Sequence, residues 1–98
     1  MQIIENWTRV RGIVNAFSVE SDTDNFGELS LSIQRTTSLE GFADLISPKA
    51  LDQARAYVPK ADLAGTTVRS GQTIELILHI TASGRLYAQA GSLRVIND

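Results

Sequence analysis

The stretch WTRVRGIVNAFSV, residues 7–19, predicts a long first strand and indicates the class of fold. Apolar and polar side chains alternate along it with the two-residue period of a strand that buries one face. Gly12 is the expected position of a β-bulge, which would bend the strand and let Val10 and Ile13 face the same core. A small barrel requires a bent strand of this kind, because the strand is shared between two sides of the barrel.

The residues that follow predict two more strands and a helix. Residues 20–28 are rich in turn formers and predict an exposed loop, residues 29–34 alternate as a second strand, and residues 42–46 favour a short third strand. Ser47 and Pro48 are typical of a helix start, and the helix is expected to run to about Val58, before Pro59. The stripe expected to dock it on the sheet is Ala50, Leu51, Ala54, Tyr57 and Val58.

Two further strands are predicted after Gly71, separated by a tight hairpin turn at Ser83-Gly84. The fourth strand alternates strictly, and its inward side chains are expected to be Ile74, Leu76, Leu78 and Ile80. A bulge at Gly91 is expected to divide the fifth strand. The inward side chains of the fifth strand are then Leu86, Ala88 and Ala90 before the bulge, and Leu93 and Val95 after it.

The order of three strands, one helix and two strands resembles the oligonucleotide/oligosaccharide-binding (OB) fold, a five-stranded Greek-key barrel. The resemblance covers roughly residues 7–96 and rests on layout alone: Gly12, the helix and the hairpin at Ser83-Gly84 match in kind, and there is no signature motif. It implies one mainly β domain over residues 1–98. An open sheet with one helix, or another small barrel, is the alternative. Barrels of this type bind nucleic acids, sugars, proteins and small ligands alike.

The composition excludes several kinds of chemistry. The 98 residues include no cysteine and one histidine, so disulfides, thiolate zinc sites, iron–sulfur clusters, cysteine nucleophiles and multi-histidine metal sites are excluded. The hydrophobic content of 43% and charged content of 20% predict a folded, soluble domain. The first six residues lack the pattern of a secretory signal, so a cytoplasmic location is expected.

Three arginines form the candidate anion-binding group. If the first loop centres near Thr23, antiparallel pairing places Arg11 opposite Arg35, and Arg9 lies on the same face as Arg11. Two like charges that face each other favour a bound anion, and Trp7 on the same face would add a stacking surface. The alternative is that Glu40 and Asp44 neutralise these arginines on a solvated face.

Two kinds of binding function follow from the outward side chains. A nucleic-acid patch would comprise Arg9, Arg11, Arg35, Trp7, Phe42 and Tyr87, whereas Phe17 and Tyr57 are expected in the core or against the helix. The net charge of −2 and the acidic first loop oppose this patch. The outward apolar residues Ile77, Ile96 and Trp7 instead predict a protein interface. A protein-interaction or self-associating module, as a dimer, is therefore the first expectation, and single-stranded nucleic-acid binding is the second.

No motif predicts catalysis or a bound cofactor. His79 is the only histidine, and a lone histidine within an apolar strand is typical of packing rather than of proton transfer. The loop with Asp22, Asp24 and Gly27 lacks the oxygen ligands that a calcium loop needs, because Phe26 and Ile33 occupy two ligand positions. We therefore expect a non-enzyme with no catalytic residue, metal site or cofactor.

Overall fold

A mainly β fold is present in the computed structural model, which describes residues 5–96. Residues 1–4, part of the segment predicted not to be a secretory signal, and residues 97–98 lie outside the described range. The elements of this range are β1 (Thr8–Ser18), β2 (Phe26–Ser38), a 3-10 turn (Ser47–Lys49), β3 (Gln53–Pro59), α1 (Lys60–Gly65), β4 (Thr73–Ile80), β5 (Leu86–Ala88) and β6 (Arg94–Val95).

The strands close into a five-stranded mixed barrel. β1 pairs antiparallel with both β2 and β4, β2 pairs antiparallel with β3, β3 pairs parallel with β5, and β5 pairs antiparallel with β4. The short β6 pairs with β4 on the side where β5 lies. The predicted barrel with a helix between its third and fourth strands is confirmed, and its topology is consistent with an OB-type barrel. The open sheet is excluded.

The predicted positions of the third strand and the helix were wrong. Residues 42–46 contain only an isolated bridge, between Asn6 and Ala43, and the helix start at Ser47 gives a single 3-10 turn. Residues 53–58, the second half of the predicted helix, form β3 together with Pro59, and Ala56 and Val58 are fully buried there. The spacing of this segment fits both periods, and pairing with β2 selects the strand. The helix begins after Pro59, which the sequence analysis had placed at its end.

The barrel interior is filled by alternate side chains of the long strands. The four predicted inward residues of β4 are all buried, and so are Val10, Val14, Leu29 and Leu31. The pairing of β1 with β2 is irregular at Gly12, as predicted, but the extra residue is Gln34 of β2. The alternation of β1 therefore continues unchanged through Gly12, and the prediction that Val10 and Ile13 share a face was wrong. Gly12 is needed for another reason: a Cβ there would lie 2.7 Å from the carbonyl oxygen of Ser32.

The hairpin and the interrupted last strand agree with the sequence. Thr81 N–H donates to Arg85 C=O across a turn with Gly84 at φ +88°, and Gly91 at φ +80° lies between β5 and β6. Leu86, Ala88 and Leu93 are buried and Val95 is partly buried. Ala90 is exposed, which contradicts the prediction, because it lies in the turn between β5 and β6 and not on a strand. Phe17, expected in the core, is also exposed.

Candidate functional site

The outer face of β1, β2, β4 and β6 carries four arginines and one carboxylate on neighbouring strands. Arg11 of β1 lies opposite Arg35 of β2, as predicted, and opposite Glu75 of β4 on its other side. Glu75 in turn lies opposite Arg94 of β6. Arg9 lies on the same face of β1, two residues before Arg11. We call Arg9, Arg11, Arg35 and Arg94, with Glu75, the arginine cluster.

Glu75 is the buried centre of this cluster. It is 6% exposed, and its carboxylate accepts hydrogen bonds from Arg94 Nη2 at 2.6 Å and Arg11 Nη2 at 3.5 Å. Burial by itself raises the pKa of Glu75, but the hydrogen bond from Arg94 and the charges of the nearby arginines lower it below its usual value. Glu75 is therefore ionised at neutral pH, and the cluster carries three positive charges in excess.

Two members of the cluster have no acidic partner. Within residues 5–96, neither Arg9 nor Arg35 forms an ion pair with a carboxylate. Arg9 and Arg94 line a groove of about 210 Å³, with Glu75, Ile77 and Ser92 as its other walls. Guanidinium groups that are not paired with a carboxylate can donate hydrogen bonds to an external anion.

The two acids that were suggested to neutralise the arginines, Glu40 and Asp44, form no salt bridge within residues 5–96. Asp44 accepts hydrogen bonds from the hydroxyls of Thr8 and Ser38 and from the backbone N–H groups of Ile46 and Ser47. These hydrogen bonds outweigh burial and hold the pKa of Asp44 far below its usual value. Asp44 therefore organises the turn after β2, and the suggestion that it neutralises the arginines was wrong. Glu75 is the acid that contacts Arg11, at 3.5 Å.

A row of aromatic rings continues from the cluster around the barrel. Trp7 meets His79 edge-on at 4.6 Å between ring centroids, His79 stacks on Tyr87 at 5.9 Å, and Tyr87 stacks on Tyr57 at 5.1 Å. The guanidinium of Arg85 lies over the Tyr57 ring at 5.3 Å. We call Trp7, His79, Tyr87 and Tyr57 the aromatic row.

The packing of the row decides which rings can bind a base. Tyr87 has His79 stacked on one side and Tyr57 on the other, so it is not an open platform. Trp7 ends the row and is half-buried. Phe42 is 43% exposed in the turn after β2. The two are close along the fold, because the backbone N–H of Trp7 donates to the C=O of Ala43, the residue after Phe42. Trp7 and Phe42 are therefore the better placed stacking candidates beside the arginines.

His79 is a packing residue in this row. Its Nδ1 atom is buried and has no hydrogen-bond partner among the described residues. Burial lowers the pKa of His79, so the ring is neutral at pH 7. This arrangement favours ring packing and offers no positioned partner for proton transfer.

The acidic first loop is attached to the barrel at the other end of the row. The Tyr57 hydroxyl donates to Asp22 at 3.0 Å, and Arg85 Nη2 lies 3.4 Å from the other Asp22 oxygen. The hydrogen bond from Tyr57 is the main cause that lowers the pKa of Asp22. Asp22 therefore connects the β1–β2 loop to β3 and to the β4–β5 hairpin, a contact that no pattern in the sequence predicts.

The residues of the predicted protein interface do not form one patch. Ile77 lies opposite Arg9, and Ile96 donates its N–H to Thr73 C=O two residues beyond Glu75. The charged pair of Glu75 and Arg94 therefore lies between Ile77 and Ile96. Trp7 lies on the other side of Ile77 from this pair, where it packs against His79. All three apolar residues are half-buried.

Glu75 and Arg94 belong to the site although no pattern in the sequence predicted them there. Arg94 lies after the irregular turn that separates β5 from β6, so its register on β4 cannot be counted from the hairpin. Glu75 shares the predicted outward face of β4 with Ile77 and His79. Only the pairing of β4 with both β1 and β6 brings Glu75 to the arginines.

Comparisons with known proteins give no relative for this chain: no family model, no curated protein and no solved structure matches it. Among residues 5–96, no group of three or more histidine, cysteine or acidic side chains is arranged to hold a metal ion. No helix within the same residues is long and apolar enough to cross a membrane.

Proposed function

We propose that this protein binds single-stranded nucleic acid on the arginine cluster, with Trp7 and Phe42 stacking on bases at its end. The observation that carries the proposal is the imbalance of charge: four arginines share a single face with one carboxylate. Arginine suits this role because its guanidinium donates to phosphate oxygens in a bidentate manner and keeps its charge at every working pH.

The distribution of charge supports a polyanionic ligand in spite of the net charge of −2. Outside the cluster the chain has five cationic and ten anionic side chains, so the positive charge is concentrated on this face. A phosphate backbone that approaches the cluster meets a local excess of three positive charges. The acidic β1–β2 loop lies at the far end of the aromatic row, where Asp22 is paired with Arg85.

Single strands are favoured over duplexes because of the rings beside the cluster. Aromatic side chains stack on bases only when the bases are unpaired, and such stacking tolerates any sequence. The half-buried Trp7, two residues before Arg9, offers this contact, and so does the exposed Phe42, whose chain neighbour Ala43 accepts the backbone N–H of Trp7.

A protein interface through Ile77, Ile96 and Trp7 remains a prediction, but it ranks second. A stable interface has a fully buried core that is depleted of charged side chains. Here Glu75 and Arg94 separate Ile77 from Ile96, so a partner would have to cover charges as well as apolar residues.

The first test is the binding of a labelled single-stranded oligonucleotide, followed by fluorescence anisotropy as a function of salt. Three or four phosphate contacts predict a slope of log K against log salt of about −2 to −3, since each contact on a single strand contributes about −0.7. A duplex of equal length should bind more weakly, because its bases cannot stack on the rings. Absence of binding at low salt, or tighter binding of polyglutamate, would contradict the proposal.

Arg9→Ala tests the site and Arg55→Ala is its matched control. Arg9 forms no salt bridge within residues 5–96, so its removal should weaken binding about fivefold and reduce the slope by about 0.7. Arg55 is 70% exposed on β3, away from the cluster, and its removal changes the net charge equally. Equal effects of the two variants would mean that net charge, and not this face, determines binding.

A further inference from the structure

The distal part of β1 has a strand partner on one edge only. β1 pairs with β2 as far as Ser18, but its pairing with β4 ends at Ile13. On the β4 side the last backbone contacts are the two hydrogen bonds of Val14, to Gln72 and from Gly71. Within residues 5–96, residues 15–18 form no backbone hydrogen bond with an element other than β2.

Apart from its shortness and the extra residue Asn15, this free edge lacks the features that protect edge strands. The segment IVNAFSV, residues 13–19, has no charge, proline or glycine and consists largely of β-favouring residues. Natural edges are usually blocked by lysine, by proline or by a covering element. Phe17 and Val19 are 44% and 50% exposed, and the third large hydrophobic side chain exposed in the described range is Phe42.

We propose that this edge pairs with the same edge of a second copy of the chain, antiparallel and around a two-fold axis near Phe17. The sheet would then continue from β2 and β1 of one protomer into β1 and β2 of the other. Because the surface pairs with itself, Phe17 and Val19 of both protomers would cover one another.

Charge favours a second copy as the occupant of this edge. A two-fold pairing centred on Phe17 places the uncharged residues 15–19 of one protomer opposite the same residues of the other. The next residue, Glu20, lies opposite Val14, so no like charges face each other. The nearest cationic residue of β1 is Arg11, six residues from Phe17 and thus about 20 Å away along the strand. That distance exceeds the Debye length of about 8 Å at physiological salt, so the arginine clusters of the two protomers would repel little.

The proposal does not depend on nucleic-acid binding, so we would test it on the protein alone. Sedimentation velocity should show a monomer–dimer equilibrium between about 1 and about 200 μM, a range that suits a small interface. Phe17→Glu places two carboxylates near the axis and should weaken the dimer at least about tenfold. Phe42→Glu is the matched control, because Phe42 is equally exposed but lies in the turn after β2, and it should leave the dimer unchanged.

Val19→Lys provides a second variant that adds a natural edge-blocking residue at an exposed position, so it should fold even if Phe17→Glu does not. It should also yield a monomer, with an unchanged circular dichroism spectrum. A wild type that stays monomeric up to about 200 μM would overturn the proposal. So would a dimer that survives both β1 variants, or one that Phe42→Glu dissociates equally.

Discussion

Glu75→Gln should lower the stability of the barrel and at the same time raise its affinity for single-stranded nucleic acid. Glu75 is the buried carboxylate that Arg94 and Arg11 contact at 2.6 and 3.5 Å. Glutamine has nearly the same shape and retains one oxygen acceptor, so the substitution removes a charge and leaves the packing unchanged. The arginine cluster then has four positive charges and no negative charge.

The loss of stability follows from the two contacts that are weakened. Hydrogen bonds to charged groups contribute about 1.5–3 kcal/mol each to stability, but glutamine recovers part of the cost of burying a carboxylate and still accepts one bond. Arg11 and Arg94 are 33% and 65% exposed, so water replaces part of what they lose. We expect a net loss of about 2 kcal/mol, which lowers Tm by about 10 °C for a domain of this size.

The gain in affinity for nucleic acid follows from the loss of the Glu75 carboxylate, which leaves one more arginine charge without a compensating negative charge. A phosphate beside the cluster gains about 1 kcal/mol from one more unit charge at contact distance in water, or about fivefold in Kd. The slope of log K against log salt should become steeper by about 0.7. Thermal unfolding followed by circular dichroism measures the first effect, and anisotropy titrations at 10–15 °C below the variant's transition measure the second.

Glu28→Gln is the control for net charge. Glu28 also pairs with an arginine, Arg55 at 3.8 Å, but the pair lies on β2 and β3, away from the cluster. Glu28→Gln changes the net charge by the same amount as Glu75→Gln. It should change neither the slope of log K against log salt nor the affinity appreciably. The reasoning fails if folded Glu75→Gln protein binds no more tightly than wild type, or if Glu28→Gln tightens binding to the same extent.

Two further substitutions test the fold and the aromatic row. Gly12→Ala should destabilise the barrel by about 1–3 kcal/mol in chemical denaturation, because its Cβ would lie 2.7 Å from the Ser32 carbonyl oxygen. Gly65→Ala, with open space around its Cβ, should be close to neutral, and equal losses would contradict the steric argument. The lowered pKa of His79 means that the unfolded chain takes up a proton before the folded one does, so stability should fall as pH drops below about 6.5, by at most about 1.4 kcal/mol per pH unit. In His79→Phe this fall should vanish between about pH 5 and 6.5, above the range in which carboxylates titrate; if it persists there, another group is responsible.

The predicted register of Arg11 and Arg35 was confirmed although the hairpin between them is irregular. Asn15 is an extra residue on β1 and Gln34 is an extra residue on β2, as the pairing of their neighbours shows. The two irregularities cancel, so pairs counted from the loop hold again beyond Gly12. A register that is counted outward from the loop is correct in such a case, because one extra residue on each strand restores the original pairing.

The segment from Ser47 to Pro59 could not be assigned from local pattern. Ala54 and Val58 are four residues apart, which fits one face of a helix, and they are also an even number of residues apart, which fits one face of a strand. Local propensity does not resolve this choice. The strand is selected by a long-range contact, the pairing of seven residues of β3 with β2. The sequence of the segment itself does not indicate this pairing.

The net charge of the chain was a poor guide to the site for a similar reason. A sum over the sequence gives −2, and this value argued against a phosphate ligand. Screening limits the reach of a surface charge to about 8–10 Å, so a ligand near the barrel responds to the nearest side chains and not to the sum. Closure of the barrel brings Arg94 of the last strand next to Arg9 and Arg11 of the first, by way of β4. The field that matters for binding is therefore created by the topology, and it can only be evaluated once the strand order is known.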